Sequence, residues 1–195
     1  MKISIAQINS IVGDLDYNFS LITKATKEAL SKNVSLVITP ELSLTGYPPE
    51  DLLLNSDFLL GVKEKLLLLA KENPHIMIIV GHPLLEKNKL FNAASVLYKG
   101  KVFKSYKKQI LPNYGVFDEK RYFVPGDIDL IFNHNKHKIG ILICEDIWAK
   151  LPINNLIKSD VDLIICINAS PYEIDKNDYR IKNIQRKINN SNTKV

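Results

Sequence analysis

The stretch K-I-G-I-L-I-C-E-D-I-W at residues 138–148 limits the possible folds of this chain more than any other. The apolar run at 139–143 predicts a buried strand, and Glu145 and Asp146 suit the first turn of a helix that follows it. Cys144 therefore falls at a sharp strand-to-helix turn, where a nucleophile elbow would aim its side chain toward exposed backbone N–H groups. A free cysteine is also a common small core residue, so this stretch alone leaves both interpretations open.

The composition predicts a single globular domain. A chain of 195 residues, 46% of them hydrophobic, can build one sizeable core but hardly two. The alternating strand pattern that begins at Met1 leaves no recognisable secretory signal, and no apolar run is long enough to span a bilayer. Two cysteines without paired spacing favour a reducing compartment, so we expect a cytoplasmic protein with no membrane association.

The net charge of +5 comes from lysines scattered among asparagines and acids along the whole chain. A nucleic-acid-binding protein typically shows a basic stripe with interleaved aromatic residues, and no such stripe stands out in this sequence. The positive charge therefore indicates solubility and a lysine-rich composition, and we expect no nucleic-acid partner.

Predicted strands and helices alternate along the chain, and some neighbouring strands are joined as hairpins. The periodicity predicts strands at 2–8, 34–39, 76–80, 93–98, 102–106, 130–132, 138–143 and 161–167. It predicts a first helix that ends near 31 and is capped by Asn18 or Ser20, then helices at 50–54, 57–72, 152–159 and 175–187. This order indicates an α/β fold with a mixed sheet and helices on one face, followed by a polar tail at 189–195 that we expect to fray.

Three ionisable side chains follow predicted strands, which is where the chemistry of open α/β sheets collects. They are Glu41, Lys108 and Cys144. A thiol that attacks an amide carbonyl needs a base to take its proton and a cation to stabilise the oxyanion, and a nearby lysine also favours the thiolate. An acid at a strand end is usually solvated and a lysine usually lies on the surface, so only the combination points to catalysis.

Four motifs in a fixed order resemble the carbon–nitrogen hydrolase (nitrilase) superfamily. They are P-E-L-S-L-T-G-Y-P-P-E-D-L at 40–52, Y-K-K-Q-I-L-P-N-Y-G-V-F-D-E-K-R-Y-F at 106–123, G-I-L-I-C-E-D-I-W at 140–148 and N-A-S-P-Y at 168–172. Within that superfamily they are most similar to the glutaminase domain of glutamine-dependent NAD⁺ synthetases. The resemblance implies an α-β-β-α sandwich with mixed sheets, in which Glu41 is the general base, Lys108 the oxyanion-stabilising cation and Cys144 the nucleophile.

The same resemblance implies a glutamine pocket and a glutamyl thioester at the cysteine. Of two adjacent lysines, Lys108 is the match, because the family lysine stands three residues before a Leu-Pro pair. Glu119 would orient that lysine. The implied glutamine contacts are Tyr114, Ser170 and Lys176 at the amino-acid end and Tyr47, Glu145 and Trp148 along the pocket. The aromatic members of this set are also ordinary packing residues, and that alternative stays open.

The resemblance also implies a domain organisation. Residues 1–188 would form the nitrilase-like glutaminase domain, incomplete at its C-terminal end, and the ATP-dependent synthetase domain of the family would be absent. The glutaminase chemistry would need no cofactor or metal, whereas ATP and Mg²⁺ would belong to the synthetase domain, which receives the ammonia in cis or in trans. A homo-oligomer is expected because nitrilase-like domains usually pair. The alternatives are an inactive remnant or partner-binding module, and a free-standing amidase for another small amide.

Overall fold

The computed structural model describes residues 1–171, 174 and 176–195, so Tyr172 of the fourth motif and the predicted helix start at Asp175 lie outside the described residues. The strands are β1 (Ile3–Ile5), β2 (Leu36–Ile38), β3 (Met77–Glu86), β4 (Lys89–Tyr98), β5 (Lys101–Lys107), β6 (Leu130–His134), β7 (His137–Ile143) and β8 (Leu163–Ile167). The helices are α1 (Leu15–Ser31), α2 (Ser56–Glu72), α3 (Leu151–Lys158) and α4 (Lys176–Ile188), with short 3₁₀ helices at Glu50–Leu54, Glu119–Arg121 and Cys144–Ile147. Among the described residues, no helix is both long and apolar enough to cross a bilayer.

The strands form two sheets that share a core. The first sheet has the order β1-β2-β3-β4-β5, and the second has the order β6-β7-β8. Leu36, Ile79 and Val96 of the first sheet belong to the same buried cluster as Ile141 and Ile165 of the second. Helices α1 and α2 pack on the other face of the first sheet, and α3 packs on the second sheet, which gives the expected α-β-β-α layers.

The expectation of one mixed sheet is wrong, because β5 and β6 belong to different sheets. The segment 108–129 that joins them contains no strand and carries the chain from one layer to the other. Both sheets contain half-buried and fully apolar strands, so hydrophobic periodicity could not assign a strand to a layer.

The β3–β4 hairpin extends well past the predicted strand end at residue 80. Gly81 and Pro83 are typical of strand ends, yet Pro83 pairs with Asn92 within the hairpin. A Cβ on Gly81 would lie 2.3 Å from the carbonyl oxygen of Pro40, so only glycine fits at this position. This close approach lays the segment after β2 directly against β3, and that segment includes Glu41.

The cap of α1 differs from the prediction. Asp14 caps the helix, and its carboxylate accepts a hydrogen bond from Tyr17 N at 2.9 Å. Asn18 is instead fully buried inside the helix, where its amide bonds both the N–H and the carbonyl of Ile11 at 2.8 Å. The sequence offers several residues of capping type in a row, and tertiary contacts decide which of them caps.

The tail does not fray as expected. Lys194 pairs with Leu163 beside β8, and the Thr193 hydroxyl donates to the Val161 carbonyl at 2.8 Å. An edge strand has unpaired backbone groups, and these residues satisfy some of them. The polar composition of the tail therefore led to a wrong prediction, because backbone and side-chain contacts hold these residues in place.

Candidate active site

A buried ammonium lies between two buried carboxylates at one edge of the first sheet. Glu41 comes after β2 and Lys108 after β5, and only 2% and 1% of their surfaces are exposed. Lys108 Nζ lies 2.7 Å from Glu41 Oε1 and 2.7 Å from Glu119 Oε1. One cation therefore faces two acids in a buried space. Burial raises the pKa of Glu119, and the Lys108 charge offsets only part of that rise.

Both members of the central pair are firmly held. Burial would lower the pKa of Lys108, but Glu41 and Glu119 hold it above its ordinary value, so the ammonium stays charged. Ala169 N, which follows β8 of the second sheet, donates to Glu41 Oε2 at 3.0 Å. Glu41 is thus fixed by groups from both sheets.

Cys144 directly follows β7 of the second sheet and adopts a left-handed backbone conformation, with φ of +45°. A cysteine rarely adopts this conformation, so the surrounding structure must impose it, as in a nucleophile elbow. The residue is 5% exposed, and its Sγ lies 3.3 Å from Ser170 Oγ. The helix after it is a single 3₁₀ turn and not the longer helix that the acidic residues suggested.

The Cys144 thiol is protonated at rest. Burial raises the pKa of this thiol to about 12, and the Glu41 charge adds to the rise. Lys108 opposes the shift without cancelling it. Lys108 thus favours the thiolate as expected, but burial and the two carboxylates outweigh its single charge.

Asp146 ties the cysteine turn to the lysine segment, a role that the sequence did not reveal. Its Oδ2 accepts hydrogen bonds from Ile143 N at 3.0 Å and from the Tyr106 hydroxyl at 2.9 Å. Its Oδ1 accepts from the backbone N–H groups of the two residues after Lys108, at 3.0 and 2.8 Å. Burial raises the pKa of Asp146 to about 6 although these donors favour its charged form. One carboxylate thus sets the position of the cysteine turn relative to the lysine segment.

Asn92 is a second functional residue that sequence reasoning missed. It lies in β4, is 1% exposed, and its amide nitrogen is 2.8 Å from Glu41 Oε1 and 3.3 Å from Glu119 Oε2. It therefore links both carboxylates that hold Lys108. The only signal available was a polar side chain at the start of an otherwise apolar strand, in F-N-A-A-S.

A cleft of about 550 Å³ opens onto Glu41, with a lining drawn from 7–10, 40–47 and 168–170. Tyr47 lines this cleft and donates its hydroxyl to Glu119 Oε1 at 3.1 Å. Burial and the Glu119 charge raise the pKa of Tyr47, so the phenol stays neutral. Ser170 also lines the cleft, which brings the edge of the cleft within reach of the Cys144 sulfur.

The remaining predicted substrate contacts do not all lie at the cleft. Tyr114 is 59% exposed and donates to Glu145 Oε2 at 3.0 Å. Lys176 is half-buried at the first residue of α4. Trp148 does not line the cleft at Glu41; its ring lies 6.3 Å from that of Tyr179 and borders a groove between the two sheets. The indole therefore packs against α4 and not along the cleft.

The described part of the chain has no obvious set of metal ligands. There, no group of three or more His, Cys, Asp or Glu side chains is placed to hold an ion. The reactive groups of the site are a thiol, a carboxylate and an ammonium, which together suit nucleophilic attack on a carbonyl carbon.

Comparisons with known proteins identify the family and the fold of this chain. The carbon-nitrogen hydrolase family model matches residues 2–192. The glutamine-dependent NAD(+) synthetase of Acinetobacter baylyi is 39% identical over 183 residues, which are 94% of this chain and 34% of that protein. A structure of glutamine-dependent NAD⁺ synthetase from Acinetobacter baumannii, in complex with ADP, gives a TM-score of 0.90 at 36% identity and covers 94% of this chain and 35% of that one.

The chain thus spans about a third of the length of these relatives. An amidase from Nesterenkonia sp. has the same fold, with a TM-score of 0.78 at 23% identity, over 89% of this chain and 66% of that one. The expected superfamily and fold are therefore confirmed. The family model covers nearly every residue, and the chain belongs to the carbon–nitrogen hydrolase family.

Proposed function

We propose that this chain is the glutamine amidohydrolase part of a glutamine-dependent NAD⁺ synthetase. The observation that carries the proposal is the buried Glu41–Lys108 pair at 2.7 Å beside the left-handed turn at Cys144. Base, cation and aimed thiol are the groups that sulfur needs for attack on an amide. The substrate follows from the relatives that match this chain, which are named glutamine-dependent NAD⁺ synthetases.

The first half of the reaction forms a thioester and releases ammonia. Because the thiol pKa is about 12, Glu41 removes the proton from Cys144 Sγ as the sulfur attacks the amide carbon. The carbonyl oxygen becomes an oxyanion that Lys108 Nζ stabilises. When the carbon–nitrogen bond breaks, Glu41 returns the proton to the departing nitrogen, which leaves as ammonia.

The second half hydrolyses the thioester. Glu41 takes a proton from a water molecule as its oxygen attacks the thioester carbon, and Lys108 again stabilises the oxyanion. The carbon–sulfur bond then breaks and the proton passes from Glu41 to Cys144. Glutamate leaves and the thiol is restored, so one water is consumed for each glutamine.

The amino-acid end of glutamine is a zwitterion and needs both signs of charge. Glu145 supplies a carboxylate for the α-ammonium, and Tyr114 already donates to that carboxylate at 3.0 Å. Ser170 and Lys176 supply a hydroxyl and a cation for the α-carboxylate. Tyr47 lines the cleft, whereas Trp148 supports the site from the groove between the sheets.

Ammonia is useful to a synthetase only if a second active site consumes it. The partner is therefore an ATP- and Mg²⁺-dependent NAD⁺ synthetase domain, joined in cis or supplied in trans, and the glutaminase reaction itself uses no cofactor. We place the reaction in the cytoplasm, with the chain acting as a homo-oligomer.

Ammonia release from glutamine by the purified chain tests this proposal. We expect turnover with glutamine that exceeds turnover with asparagine and with butyramide, and Cys144→Ala should abolish it. A trapped glutamyl adduct on Cys144, detected by mass spectrometry, would identify the thioester. The Cys166→Ala variant is the matched control, because it removes the other thiol and should keep activity.

Two results would contradict the proposal. Equal or faster turnover of simple amides would indicate a free-standing amidase. No turnover above the Cys144→Ala background, from a chain whose circular dichroism shows it folded, would indicate an inactive remnant or a partner-binding module.

A further inference from the structure

A second cavity lies on the opposite face of the first sheet from the site described above. It encloses about 420 Å³ between α2 and strands β3, β4 and β5, a volume within the range of small-molecule pockets. The leucines of α2 form one wall, and two of them, Leu60 and Leu67, remain 54% and 49% exposed. Neither Glu41 nor Cys144 lines this cavity.

A chain of hydrogen bonds forms its floor, and the direction of each bond can be deduced. His82 is 1% exposed, and its Nδ1 lies 2.9 Å from the Pro83 carbonyl oxygen, which can only accept, so Nδ1 carries the proton. The pKa of His82 is lowered to about 4 by burial, so the ring is neutral and Nε2 must accept. Nε2 lies 2.7 Å from Ser95 Oγ, and therefore Ser95 donates to it.

The last member of the chain faces the cavity as an acceptor. Ser95 Oγ lies 2.7 Å from Ser105 Oγ, and because the Ser95 proton is already used, the Ser105 hydroxyl must donate to Ser95. Ser105 is half-buried and lines the cavity, so it offers only lone pairs to an occupant. A molecule that reaches this floor must bring its own O–H or N–H donor.

The mouth of the cavity, in contrast to the floor, favours an acceptor or an anion. Lys63 of α2 lines it and is exposed, and within the described residues it has no hydrogen-bond or ion-pair partner. An anionic group at the outer end of an occupant would be attracted to this ammonium. The body between the two ends must be apolar, because leucines and Val102 form the walls.

We propose that this cavity binds a small apolar carboxylate that carries one hydroxyl or N–H group, with the donor on Ser105 and the carboxylate toward Lys63. A phenolic acid has this arrangement, with a rigid apolar ring between its two polar ends. The site is independent of the amide chemistry, and its test does not need activity.

Protein-observed NMR of the full chain, titrated with 4-hydroxyphenylacetate, tests the proposal. We expect saturable shifts confined to α2 and β3–β5, and at least about fivefold weaker binding of 4-methoxyphenylacetate, which lacks the donor. Ser105→Ala should abolish that preference for the phenol. Lys63→Gln should weaken binding of 4-hydroxyphenylacetate but not of 4-methylphenol, whereas Lys71→Gln, an exposed lysine of the same helix, should change neither.

Three results would overturn the proposal. The first is equal affinity for the phenol and its methyl ether. The second is a set of shifts at residues around Glu41 in place of α2. The third is concentration-dependent spectra of the unliganded chain in which the exposed leucines Leu60 and Leu67 contact a second copy.

Discussion

At the scale of single residues, Glu41 has two opposing effects on Cys144. On the proposed function its carboxylate is the base for the Cys144 proton, yet its charge helps to keep the thiol protonated. The positive charge of Lys108 reduces this conflict without removing it, because Lys108 also pairs with Glu119. On the proposed function, proton transfer is therefore coupled to sulfur attack and does not precede it.

The variant Glu41→Gln separates the two effects. We expect amide turnover to fall by about 10² to 10⁴-fold because the base is lost. Alkylation of Cys144 by iodoacetamide should become faster at pH 8, because removal of the carboxylate charge lowers the thiol pKa. Mass spectrometry of the alkylated chain measures the rate. Glu86→Gln, at the surface pair with Lys107, is the control, and slower alkylation of the Glu41 variant would contradict the account.

Asn92→Leu tests the link between the two carboxylates. Leucine has a similar volume but no donor, so Glu41 and Glu119 each lose a partner. We expect the free energy of unfolding to fall by about 1–3 kcal/mol and turnover to fall by about 10- to 100-fold. Urea denaturation and ammonia release measure both quantities. The exposed strand residue Asn133 provides a control, and an Asn92 variant no worse than Asn133→Leu would exclude the role.

At the scale of elements, the turn after β7 is held from two directions. Asp146 accepts hydrogen bonds on one side, and Lys187 of α4 donates to the carbonyls of Ile147, Trp148 and Ala149 at 2.6, 2.6 and 3.1 Å on the other. These carbonyls end the 3₁₀ turn and have no partners within it. Both sets of contacts therefore restrain the turn that begins at Cys144.

Lys187→Met should loosen this turn while α4 remains a helix. We expect faster hydrogen exchange of the amides at 144–150, and turnover reduced by several-fold, because the cysteine loses its fixed orientation. Lys182→Met, at an exposed position of α4, is the matched control. Unchanged exchange in that segment would show that the three contacts do not hold the turn.

Asp146→Asn tests the other side of the same turn. An amide has only one acceptor oxygen, so its NH₂ group would face donors that the carboxylate now satisfies. We expect a loss of about 2–4 kcal/mol of unfolding free energy together with loss of turnover. Thermal denaturation measures the loss of stability, and Asp178→Asn on the exposed face of α4 is the control. A variant as stable and active as that control would show that the turn does not need Asp146.

Element positions were predictable from the sequence to a useful degree, and the exceptions have physical causes. The apolar run before Cys144 and the two-residue turn at 99–100 both appear as predicted. The predicted third strand ended at residue 80, whereas β3 continues to Glu86 through Gly81, which is needed for the close approach to Pro40. Asn92 and Asp146 gave no recognisable pattern, because their partners lie far away in the chain.

At the scale of the whole molecule, the free energy of unfolding at acid pH depends on a histidine outside the site. The pKa of His82 is lowered to about 4 by burial, so the folded chain binds fewer protons than the unfolded chain between pH 4 and 6.5. Its neutral form therefore contributes stability that is fully present above pH 6.5 and is lost as the pH falls toward 4. Asp146, with its pKa raised to about 6, acts in the opposite direction over an overlapping range.

The variant His82→Gln isolates this contribution. We expect the wild-type chain to lose about 3 kcal/mol more unfolding free energy than the variant between pH 7 and pH 4. Urea midpoints at four pH values measure the difference, and the carboxylates of the site cancel because both chains contain them. Parallel pH profiles for the two chains would rule out a buried neutral histidine.

The layer structure was the part of the fold least accessible to the pattern of residues. The alternation of strands and helices predicted α/β class, but the division into two sheets came only from the resemblance to a family. Pairing between distant strands depends on how the segment 108–129 crosses the molecule, and that segment has no periodicity to interpret.

Glu41 and Lys108 follow strands of one sheet, whereas Cys144 follows a strand of the other. The distance between the Cys144 sulfur and the Lys108 ammonium therefore depends on how the side chains between the two layers pack. A smaller residue at Val96 or Ile141, both fully buried between the layers, would leave a cavity there and loosen the spacing of the two groups without touching either. On the proposed function, the amide turnover of this chain therefore depends also on side chains in its interior.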